Sequence, residues 1–129
     1  MADIYLDNNA TTMCDPEVVQ ELMPFFSEQF GNPSSLHNFG NKVGFAIKKA
    51  RQSVQNILGA EHDSEIIFTS CGSESDSTAI LSALKAQPER KEIITTVVEH
   101  PAVLNLCEFL ETEGYTVHKL KVDGKGNLD

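Results

Sequence analysis

Three features of the chain predict an α/β fold with a mainly parallel sheet. Short apolar runs rich in β-formers alternate with helical stretches between residues 65 and 122. The turns joining them are short, and helices open directly after the strands on capping residues or proline. The order strand–helix–strand–helix–strand then requires right-handed crossovers and parallel pairing.

Ile4-Tyr5-Leu6 reads as a short extended segment, and Asp7 to Thr12 as a polar turn. Asp15-Pro16 has the form of an N-cap followed by proline in the first helical position. The helix it opens carries Val18, Val19, Leu22, Phe25 and Phe26 on one side, and Pro24 should bend or shorten it. Gly31-Asn32-Pro33-Ser34-Ser35 is a loop by composition. A longer helix is expected from about Asn41 to Leu58. Val43, Ile47, Ala50, Val54, Ile57 and Leu58 form its apolar stripe, and Gly59 its C-cap.

Ile66-Ile67-Phe68-Thr69 is expected to be a buried strand. The small-residue turn Ser70-Cys71-Gly72-Ser73 follows. Ser73 to Asp76 matches a capping box opening a helix with Ala79, Ile80, Ala83 and Leu84 inside, and Gln87-Pro88 ends it. The unit repeats. Strand 93–97 leads through Val98-Glu99-His100 to Pro101 and a helix burying Val103, Leu104, Cys107 and Leu110, which ends at Gly114. A third strand is expected over 115–122, then a turn over 123–127. Three parallel strands make a poor free-standing sheet, so the pattern suggests the opening of a larger domain with apolar side chains left for it to cover.

Composition narrows the function. The net charge of -9 disfavours nucleic acid and anionic membrane surfaces as partners. No apolar run is long enough to span a membrane, and the start has no signal-peptide pattern. Cys14, Cys71 and Cys107 are odd in number and far apart, which fits a reducing, cytoplasmic setting. His37, His62, His100 and His118 do not stand at ligand spacing to them, so no metal site is expected.

In open α/β sheets, ligands bind outside the carboxyl ends of the strands. Two turns lie there. Ser70 to Ser75 brings backbone N–H groups and hydroxyls to a helix start, which suits a phosphate, and Gly72 permits close approach. Ser73 simply capping its helix is the plainer account of that turn, and Glu74 and Asp76 place negative charge against an anion. The second turn presents His100, whose imidazole can hydrogen-bond, shuttle protons or stack on a flat ring. Taken alone it is more simply a surface or cap residue. Together, the turns suit a flat aromatic cofactor with a phosphate tail.

Four blocks carry a family resemblance: Leu6 to Thr12, Gly31 to His37, Ile67 to Ser75, and Val98 to Val103. In order and spacing they resemble the cysteine desulfurases, class-V, fold-type I enzymes dependent on pyridoxal 5'-phosphate (PLP). The wording of Asn8-Asn9-Ala10-Thr11-Thr12 and Ser70-Cys71-Gly72-Ser73 is similar to the nitrogen-fixation branch. The resemblance reverses both plainer accounts. It implies that residues 1–129 are the N-terminal part of a single PLP-dependent transferase domain. It implies that Gly72 and Ser73 hold the PLP phosphate and that His100 stacks on the pyridine ring and assists proton transfer. Asn8, Ala10 and Thr11, with the Gly31–His37 loop, would lie near the active-site mouth.

The implied activity takes sulfur from L-cysteine, leaving alanine and an enzyme persulfide for iron–sulfur cluster assembly through a scaffold protein. The implied enzyme is a cytoplasmic homodimer. Its cofactor-linking lysine, pyridine-nitrogen Asp, substrate Arg and nucleophilic Cys have no counterparts here. His118-Lys119 lies inside an expected strand without the preceding serine, and Cys71 belongs to the phosphate turn. The 129 residues alone are therefore expected to be inactive. Alternatives are another class-V aminotransferase, a selenocysteine lyase, or a short product acting only as a binding or dimerisation module.

Overall fold

Proline and glycine set the boundaries of the helices. The computed structural model describes residues 3–128. Asp15 caps α1 (Pro16–Leu22), its carboxylate accepting from the Glu17 N–H at 2.8 Å. Pro24 then breaks the expected helix outright, and α2 (Pro24–Ser27) starts on it. The long helix α3 (Asn38–Leu58) begins three residues before the expected Asn41, because His37 Nδ1 accepts from the Gly40 N–H at 3.3 Å. It ends at Gly59 as expected, with φ +70°.

The chain divides after Ile66 into two compact units. In the first, the loop before α3 lies tight against the helix. Gly40 is buried, and a Cβ there would stand 2.5 Å from the carbonyl oxygens of Asn32 and Ser35. One turn on, a Cβ at Gly44 would meet the Pro33 carbonyl at 3.2 Å. The Asn32 side chain accepts from the Ser34 N–H at 2.9 Å, and Phe30 stacks on Phe39 with centroids 5.3 Å apart. The stripe expected to be buried on α3 is mostly exposed, with Val43 and Val54 half-buried. A short 3-10 turn at Asp63–Glu65 follows, and the Arg51 guanidinium donates to the Ile66 carbonyl.

The second unit holds α4 (Gly72–Ala86), β1 (Glu92–Thr96), α5 (Pro101–Thr112) and β2 (Thr116–Leu120). The strands pair in parallel with Ile93 opposite Val117 and Ile94 opposite His118, and α5 makes the crossover between them. This is the expected βαβ arrangement, with the last strand trimmed to five residues. Its core sits on α5, where Cys107 is 1% and Leu110 3% exposed. α5 packs against both α4 and β2. Ile93 and Val117 are half-buried, while Ile94 is 70% exposed, so one sheet face is uncovered.

Ile66–Thr69 corrects the sequence reading: it is not a strand. A strand is defined by its ladder, and the sheet of the described residues contains only β1 and β2. Ile66 is buried in the first unit, whereas Ile67 is 70% exposed. The β-forming run therefore persists as extended chain in which Ile66 is covered and Ile67 and Phe68 are exposed. Among the described residues, no helix is long and apolar enough to cross a membrane.

Candidate functional site

The turn into α4 is made of hydroxyls, a thiol and a carboxylate. Cys71 is the N-cap residue in extended conformation, so Gly72 and Ser73 take the first two helical positions. Amides at these positions have no acceptor within the helix. The Ser75 N–H bonds back to the Cys71 carbonyl at 3.1 Å. The helix thus starts two residues earlier than a cap at Ser73 would allow. The expected capping box from Ser73 to Asp76 does not form, because both residues already lie inside the helix.

Its place is taken by a link the sequence reading missed. Glu74 Oε2 accepts from both the Ser70 N–H and the Ser70 hydroxyl, each at 2.6 Å. The Ser70 hydroxyl, and then its N–H, hold the Glu74 carboxyl below its usual range. A glutamate four residues after a serine that precedes a helix was the available signal. Thr69 Oγ1 and Ser75 Oγ lie 2.6 Å apart and tie the approach to the first turn. The exposed Cys71 thiol has a lowered pKa, chiefly because the Glu74 N–H faces it and next because of the Ser70 hydroxyl. Its side chain makes no full capping hydrogen bond.

The space in front of this turn is open. A Cβ added at Gly72 would meet nothing within 4 Å, so the packing of the chain does not itself demand glycine there. The carboxylate that could repel an anion is tied back to Ser70. A phosphate therefore fits the amides of Gly72 and Ser73 and the Ser73 hydroxyl.

The second turn is fixed by His100 itself. It is the N-cap of α5, and its Nδ1 accepts from the Ala102 N–H at 3.1 Å. Pro101 follows as the first helical residue. Glu99 accepts from the Thr96 hydroxyl at 2.8 Å and anchors the end of β1 to the turn. The imidazole is exposed, and its Nε2 lies outside the cap bond. Gly72, Ser73 and His100 share one unit, whose helices α4 and α5 pack together.

Asn8, Ala10 and Thr11 belong to the other unit, in an exposed turn. The Ala10 N–H donates to the Asp7 carbonyl at 3.1 Å, and the Tyr5 hydroxyl lies within 3.0 Å of both the Asp7 and Thr11 carbonyls. Among the described residues, no cluster of His, Cys, Asp or Glu is grouped to hold a metal ion.

The aminotransferase class-V family model matches residues 4–129. The chain belongs to that family. Over all 129 residues it is 79% identical to the cysteine desulfurase NifS of Azotobacter vinelandii, of which it covers 32%. It is 69% identical over 130 aligned positions to a cysteine desulfurase of Azotobacter chroococcum mcd 1, again covering 32%. Among solved structures, a NifS-like protein superposes with a TM-score of 0.90 at 39% identity, covering 98% of this chain and 35% of that one. A structure titled SspA in complex with cysteine gives 0.82 at 40% identity, covering 89% and 33%. This class-V chain therefore spans about one third of the length of the relatives it matches. Its α/β fold is that of the corresponding third of the NifS-like structure.

Proposed function

We propose that this chain is the phosphate-holding and ring-stacking part of a PLP-dependent cysteine desulfurase that takes sulfur from L-cysteine for iron–sulfur cluster assembly. The observation that carries the proposal is 79% identity, along the whole chain, to a cysteine desulfurase named NifS. That name also favours a nitrogenase-related role. The proposal includes a single class-V domain running through residues 1–129 of a longer, cytoplasmic, homodimeric protein. It also includes a scaffold protein as sulfur acceptor.

The chemistry supplied by PLP, when bound, is an electron sink beside the amino-acid Cα. The residues of this chain hold and orient. The Gly72 and Ser73 amides and the Ser73 hydroxyl would hold the phosphate at the positive end of α4, a 15-residue helix. His100 would stack its imidazole on the pyridine ring. Its Nδ1 is occupied as an acceptor by the Ala102 N–H, so the proton of the neutral ring sits on Nε2. Nε2 is then the atom that passes a proton to or from the substrate. For Asn8, Ala10 and Thr11 the proposal keeps the substrate-side role that the family resemblance implies. The cofactor-linking lysine and the sulfur-accepting cysteine come from sequence outside these 129 residues, so the isolated segment releases no sulfide.

The test is product analysis on the full-length protein with L-cysteine. Equal amounts of alanine and persulfide sulfur, dependent on PLP, are expected. 3-Mercaptopyruvate, the 2-oxo acid left when only the amino group is transferred, would instead identify a class-V aminotransferase, and activity on selenocysteine alone a lyase. His100→Ala should lower kcat by about a hundredfold while leaving PLP bound.

A further inference from the structure

Glu74 poses a problem for an anion site. It is the third residue of the helix whose start would hold a phosphate, and a carboxylate there repels an anion at close range. The structure shows where that charge goes. Both Ser70 donors converge on one oxygen, Oε2, at 2.6 Å each. Ser70 lies two residues before the first helical residue, so this contact spans the whole turn. Two charge-assisted hydrogen bonds across five residues fix the backbone between them. That backbone contains Gly72 and Ser73. The same contact surrounds the carboxylate oxygen with donors on the side of Ser70.

We propose that Glu74 is a positioning residue of the phosphate turn: its bonds to Ser70 lock the turn with the Gly72 and Ser73 amides presented, and keep its own charge turned back. This rests on the reading of the turn as a phosphate holder and deepens it. Glu74 touches neither cofactor nor substrate, and it acts through the geometry of Ser70 to Ser73. Because the locking bonds need an acceptor oxygen rather than a charge, a glutamine can replace it and an alanine cannot.

The test compares PLP with pyridoxal, which lacks the phosphate, by equilibrium binding to the full-length protein. Wild type should prefer PLP strongly. Glu74→Ala should lose about tenfold in PLP affinity with pyridoxal affinity unchanged. Glu74→Gln should restore the preference, and Ser70→Ala, which removes one of the two donors, should lose an intermediate amount. Equal loss for both ligands would mean a general structural role and overturn the proposal. So would tighter PLP binding in both Glu74 variants, because the carboxylate would then be only a repulsive charge. If Glu74→Ala does not fold, the Ser70→Ala and Glu74→Gln pair decides the question by the same comparison. A wild type with no preference for PLP would refute the phosphate site itself, an outcome separate from any effect of Glu74.

Discussion

The loops that lead into α3 and α4 use glycine for opposite purposes. Before α3, the chain closes on itself. Gly40 is buried, with no space for a Cβ beneath the Asn32 and Ser35 carbonyls. Before α4, the chain stays open. Gly72 has nothing within 4 Å of where a Cβ would stand, and the turn is held by side-chain hydrogen bonds. The first loop is rigid because backbone packs on backbone. The second is held by the Ser70–Glu74 bonds and leaves open space at Gly72.

Substitution at the two glycines should separate these designs most sharply. Glycine to alanine inside a helix ordinarily stabilises by about 1 kcal/mol. At Gly40 the 2.5 Å approach to two carbonyl oxygens outweighs that gain. Gly40→Ala should destabilise the full-length protein by about 3 kcal/mol in urea unfolding. Gly44→Ala meets the Pro33 carbonyl only at 3.2 Å, so its cost should be less than half as large. An unchanged unfolding midpoint for Gly40→Ala would mean that the loop is not seated on the helix.

A smaller effect is expected from pH. The Ser70 donors hold the Glu74 carboxyl below its ordinary 4.5 in the fold, and unfolding returns it to that value. Its contribution to stability is therefore complete above the unfolded value and is lost as pH falls through the folded one. The urea midpoint should drop between about pH 6 and about pH 3, and drop less in Glu74→Gln. Identical profiles would show that Glu74 is not tied to Ser70. The smallest effect belongs to Gly72→Ala, which should change stability by no more than about 0.5 kcal/mol, since the added methyl meets open space. A large loss would close the gap between the two loops.

Much of this was readable from local pattern. Pro16, Pro101 and Gly59 mark helix ends because proline and glycine restrict or free one backbone angle whatever surrounds them. Strands at 93–97 and 115–122 were legible from their β-forming runs, and each is confirmed within two residues. The failed strand at 66–69 has the same local pattern but lacks a ladder in this sheet, and local pattern carries no information about a neighbour. The capping box at Ser73 failed for a related reason. Ser73 and Asp76 have the right spacing, but Ser70 and Glu74 form a competing pair with two donors on one oxygen.

By itself the sequence determined the alternation of helices and strands, the family, and the turns at Gly72–Ser73 and His100, because each depends on residues close together in the chain. Only the tertiary structure decided which β-forming runs pair, that Gly40 seats a loop on α3, and that the Glu74 charge is turned back onto Ser70. Those outcomes depend on which groups meet in space, and hydrogen-bond partners and steric room are fixed only when the chain has folded.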